Sequence, residues 1–149
     1  MDDAGGLRAI GLACLALVGA LMSLGLSVGS ASLYAAFSTP ALVASALAFA
    51  RAPWAKWAAA PIFLTWLLGP VGIWLFMLGL SRLGDSALIL VAATVALVAA
   101  SAFGLIQIAR RPGGAAWPVA VSVFFLSGLA QAAAVVIGAQ GDLLRGGAR

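Results

Sequence analysis

Side chains able to do chemistry are scarce in this chain, and the first to weigh is Gln131, an amide sharing a helical face with Ser127, Ala134 and Gly138 in an otherwise apolar stretch. Such an amide either hydrogen-bonds across a helix interface, a contact of about 0.6–2 kcal/mol, or touches a weakly polar solute. The second feature is the run Thr65-Trp66-Leu67-Leu68-Gly69-Pro70-Val71-Gly72. Pro70 has no N–H for the carbonyl of Trp66 and its ring crowds that oxygen. A helix is therefore expected to kink or locally unwind there, leaving an acceptor for a neighbour, water or ligand. Unwound backbone at the membrane midplane is how some transporters hold ions; a packing kink is the commoner outcome and the favoured one. Pro40 and Pro61 carry the same two readings. Thr65, Trp66, Gly69, Pro70, Gly72 and Gln131 are accordingly the candidate solute or partner contacts.

What is missing narrows the chemistry further. The sequence contains no histidine, so paired-imidazole haem ligation, histidine metal sites and Ser-His catalysis are unavailable. Its acids, Asp2, Asp3, Asp85 and Asp142, lie outside the apolar windows, which removes the intramembrane carboxylate typical of proton-coupled carriers. Arg82 and Asp85, with Ser81 and Ser86 beside them, read as a solvated turn, because no second acid or metal cluster is at hand to activate a nucleophile. Cys14 is the sole cysteine; it forms no intrachain disulfide and reads as a small packing residue. The expectation is a non-enzyme without a metal or a cofactor.

The elements that must position these residues follow from the charge map. From Ala9 to Ala50 no Asp, Glu, Lys, Arg or His occurs. That stretch would reach about 63 Å as one helix, twice the ~30 Å core of a bilayer, so it supplies two spans. Three more uncharged windows, 57–81, 86–109 and 112–141, each exceed the roughly 20 residues needed to cross once. The fold expected is all-α, a polytopic transmembrane bundle with spans near 9–28, 32–50, 57–80, 86–109 and 116–139, making one integral membrane domain. Hydrophobic residues at 64% and charged residues at 8% demand lipid as the solvent. Arg8 followed by a long apolar stretch and Gly29-Ser30-Ala31 also resembles a secretory signal, whose cleavage would leave four spans. The apolar stretch exceeds the usual ~7–15 residues of a signal core, so a retained first helix is favoured.

The eight basic residues, net charge +4 and pI near 10.7 do not point to nucleic acid, because the cations sit at segment ends instead of clustering on a polar face. They orient helices and touch anionic headgroups. Arg8, Arg51, Lys56, Arg110 and Arg111 fall on one side of a five-span chain, and Arg82, Arg145 and Arg149 on the other. The positive-inside tendency then places the N-terminus in the cytoplasm and the C-terminus outside, in a bacterial-type inner membrane. Tyr34, Trp54, Trp57 and Trp117 fall near span ends as interfacial anchors, whereas Trp66 and Trp74 lie deeper and are expected to face protein.

Small residues supply helix contacts. Gly25 and Gly29 form a GxxxG pair, and Ala92, Ala96, Ala100 and Gly104 recur every fourth position, allowing close approach within the chain or between copies. Ala50-Arg51-Ala52-Pro53 is echoed by Ala109-Arg110-Arg111-Pro112, hinting at duplicated hairpins formed by the second and third and by the fourth and fifth helices. The leading expectation is an accessory or assembly subunit working through helix contacts with a membrane protein partner, in contact with lipid. The alternative is a small homo-oligomeric carrier or channel for a neutral or weakly polar solute.

Overall fold

The computed structural model describes residues 3–77, 87–110 and 115–146, with side chains described at 5–70, 90–110, 115–137 and 140. Five helices follow one another: α1 (Asp3–Ser27), α2 (Ala31–Phe49), α3 (Ala55–Met77), α4 (Ala87–Ala109) and α5 (Trp117–Gly146), and no strand occurs among the described residues. The segments Gly5–Ser27, Ala31–Phe49, Leu90–Ala109 and Trp117–Ile137 are long and apolar enough to cross a membrane. Two helices outrun their apolar windows. α1 starts at Asp3 instead of near residue 9, and α5 continues to Gly146 instead of stopping near 139, because hydropathy marks where lipid would end and not where the backbone must stop being helical.

The α1–α2 turn ends α1 with Gly29 at φ 72°, the left-handed position of a Schellman cap: Ser30 N–H donates to Gly25 O at 2.9 Å and Gly29 N–H to Leu26 O at 3.4 Å. The α2–α3 turn repeats the motif with Ala52 N–H on Leu47 O at 3.0 Å and Arg51 N–H on Ala48 O at 3.1 Å. Here the left-handed residue is Arg51, at φ 58°. Pro118 falls in the first turn of α5, where its missing N–H has no intrahelical bond to make.

α3 touches every other helix, and the rest flank it in the open order α4, α1, α2, α5. α1 packs most extensively on α2 and α4, while α5 packs on α2 and α3. Among the described residues α4 and α5 share no contact, since α3 lies between them. Helices two and three do touch, so the two hairpins suggested by the repeated Ala-Arg motif are packed differently. The contiguous core takes Ile10, Cys14, Leu17 and Leu21 from α1, Ala44 from α2, Phe63 from α3 and Leu97 from α4, with their neighbours. Among the described residues α5 adds none to that cluster. Half of the apolar window of α1 is buried and only 11% of that of α5, so α1 is the spine and α5 the edge.

Polar side chains in these helices are largely spent on their own backbone. Ser38 donates to Tyr34 O, Thr39 to Ala35 O, Thr65 to Pro61 O and Thr94 to Leu90 O, at 2.7–3.2 Å, which lets a hydroxyl sit in an apolar medium without an orphan donor.

Candidate functional site

The Thr65–Gly72 run lies within a continuous α3. Pro70 therefore opens no unwound segment here, and the locally unwound alternative does not occur, because the helix can lose one i to i−4 bond and still hold its neighbours. The run presents two faces. Thr65 and Gly69 are exposed, Pro70 is buried, and Trp66 is half-buried against the core. A Cβ on Gly69 would meet nothing within 4 Å. Trp66 ends an aromatic ladder, its ring 5.7 Å from that of Phe37, which lies 5.5 Å from Tyr34. Its indole N–H is buried without a hydrogen-bond partner among the described residues. The side-chain surroundings of Gly72 and Trp74 fall outside the described residues, as do Arg82, Asp85 and Arg111 altogether.

Gln131 is 1% exposed, and neither its amide oxygen nor its amide nitrogen has a hydrogen-bond partner among the described residues. One turn earlier, Ser127 donates to Ala58 O of α3 at 2.5 Å, and a Cβ on Gly128 would lie 3.7 Å from Pro61. Gln131 thus follows the seam that docks α5 on α3. Pro61 leaves the carbonyl of Trp57 without its helical donor, and the carbonyl after it, that of Ala58, accepts a hydroxyl from the neighbouring helix.

The small residues divide by task. A Cβ on Gly25 would come 2.7 Å from Tyr34 Cβ, so absence of a side chain sets the α1–α2 distance near the turn. Gly11 does the same further along, with Phe49 at 3.1 Å, and its carbonyl accepts from Ser45 at 3.2 Å. Gly29 has nothing within 4 Å and serves the turn. On α4, Gly104 lies flat against the ring of Phe63 and Ala100 is buried, whereas Ala92 and Ala96 are exposed. Ser101, between Ala100 and Gly104 in sequence, is buried with its hydroxyl unpartnered among the described residues.

An apolar groove of about 820 Å³ lies between α2 and α5, lined also by Trp54 from the α2–α3 turn and Ala58 of α3. Its walls are almost wholly apolar, with Pro40, Val43 and Leu47 on one side and Leu126, Ala130 and Ile137 on the other. Gln131 and the described members of the Thr65–Pro70 run do not line it. A second apolar hollow, about 320 Å³, is formed by Trp57, Trp117 and Phe124 with their neighbours. Lys56 beside it is 6% exposed, its ammonium 5.2 Å from the Trp57 ring centre. Exposed Arg8, Arg51 and Arg110 belong to the same end of the bundle, at the start of α1 and the ends of α2 and α4. No group of three or more potential metal ligands occurs among the described residues.

Among the described residues no reacting constellation is set out; what the arrangement offers there is helix faces and apolar hollows. Comparison with protein-family models, curated proteins and solved structures finds no match for the chain. The class that fold and site define is a five-helix bundle with four helices able to cross a membrane.

Proposed function

We propose that the chain is a five-span integral membrane protein that performs no catalysis and serves as an accessory or assembly subunit, docking a membrane partner through the outward face of α5. The carrying observation is the position of α5, held at the bundle edge by one cross-helix hydroxyl and a few buried residues while Leu129, Val136 and most of its length face outward. A helix so placed presents packing surface without disturbing the core when a partner arrives. The fifth span in this reading is α3, whose 23 residues reach about 35 Å at ~1.5 Å each and carry one charge, Lys56, at the end. The gathering of Arg8, Arg51, Lys56 and Arg110 at one end supports a cytoplasmic placement of that end in a plasma membrane.

A photo-crosslinking residue at Leu129 or Val136 is expected to capture one stoichiometric companion after mild-detergent purification, and the same probe at Leu12, outward on α1, is not. Equal capture from both helices, or none from either, overturns the docking role. The carrier reading draws on the buried amide of Gln131; it predicts a homo-oligomer that passes a neutral solute in liposomes, and the apolar walls of the α2–α5 groove weigh against it.

A further inference from the structure

The α2–α5 groove begins beside the turn that holds Arg51. Leu47, whose carbonyl accepts the Schellman bond of that turn, lines the groove, and so does Trp54, three residues beyond Arg51. From Ala36 to Leu47 the α2 wall is about 16 Å long, and from Val123 to Ile137 the α5 wall is about 21 Å, at ~1.5 Å per residue. A partner helix would need the whole ~30 Å of hydrocarbon; a groove about one leaflet deep suits a single acyl chain.

The mouth has the matching charge. Arg51 is exposed, and neither α2 nor the turn that follows it contains an Asp or Glu. Arg51 also occupies a left-handed backbone position that favours glycine over a residue with a Cβ. A strained turn that nonetheless carries a guanidinium is an outlier that invites a functional reading. The tryptophan at the same level supplies the amphipathic ring favoured at headgroup depth.

We propose that this groove is a lipid seat: one acyl chain of an anionic phospholipid lies between α2 and α5, and its phosphate is held by the Arg51 guanidinium beside Trp54. The proposal rests on the membrane-spanning reading above but not on the subunit role. An arginine fork suits a phosphate's oxygens, and its fixed positive charge favours a headgroup with net negative charge over a zwitterionic one.

The test is native mass spectrometry of the full chain, exchanged into mild detergent with phosphatidylglycerol or phosphatidylcholine at matched concentrations. One saturable adduct is expected, retained about fivefold better with phosphatidylglycerol, the preference a single interfacial cation supplies. Arg51→Gly, which suits the backbone of this turn, is expected to abolish the preference while leaving a weak adduct of either lipid. Ala130→Phe is expected to remove both adducts; should that variant fail to fold, Arg51→Gly decides alone. Equal retention of the two lipids, unsaturable binding of several lipids, or an unchanged preference in Arg51→Gly overturns the proposal. Failure of the membrane reading would show differently, as a chain that stays soluble without detergent.

Discussion

Gly25 and Tyr34 face each other across the first turn so closely that a methyl group on Gly25 would stand 2.7 Å from Tyr34 Cβ. The tyrosine is committed at its Cβ, not at a flexible tip, so it cannot swing aside. Gly25→Ala is therefore expected to cost about 1–3 kcal/mol by forcing α1 and α2 apart, read as a lowered midpoint of thermal unfolding in detergent. Gly29→Ala, in a left-handed turn with open space around it, should cost about 1–2 kcal/mol without moving the helices. Equal displacement of the α1–α2 distance in both variants would contradict this division.

Arg51 stands at the same position of its turn as Gly29 does in the first. Arg51→Gly should leave the fold intact and raise the unfolding midpoint by the equivalent of up to about 1 kcal/mol, strain relief exceeding the loss of a cation near the end of α2. A clear fall in the midpoint would mean that the side chain itself holds the turn.

Ser127 bridges α5 to α3 at the carbonyl of Ala58. Ser127→Ala is expected to cost about 0.6–1.7 kcal/mol, with α5 affected before the core helices. Hydrogen exchange in detergent checks this: amides of α5 should exchange faster in the variant while those around Leu17 and Leu21 stay unchanged.

Gln131→Leu removes two buried amide atoms that have no partner among the described residues. Insertion should be intact and stability equal or higher, since nothing hydrogen-bonded is lost. If partner capture or solute flux disappears in this variant while the unfolding midpoint holds, the amide is a contact residue; if both persist, its place is in packing.

Tags or reporters at the two termini should be accessible from opposite sides of the membrane, with the N-terminus in the cytoplasm. Same-side accessibility would reduce the spans to an even number and remove α3 or α1 from the bilayer.

Much of the element map was legible in the chain, because charges are excluded from hydrocarbon and glycine, serine and proline punctuate the turns. The second helix, read near 32–50, runs Ala31–Phe49, and the fourth, read near 86–109, runs Ala87–Ala109. The candidate contacts were less legible. Thr65 and Pro70 sit close in sequence but on opposite faces of α3, and Gln131 comes from a helix whose place beside α3 no spacing reveals. Ser45, Ser127 and Arg51 act through a carbonyl or a backbone angle set by other residues, so their types carried no advance signal.

Composition and the charge map alone determined that the chain is helical, apolar enough for lipid, and poor in reactive groups. Which stripe of each helix faces inward, that α3 separates α4 from α5, and that a groove opens between α2 and α5 were decided by the tertiary structure. The physical reason is that lipid tails and a protein core are equally apolar. A helix that is oily all round has no preferred inward face, and orientation falls to close packing between particular pairs, Gly25 with Tyr34 and Gly104 with Phe63, which meet only once the helices are assembled.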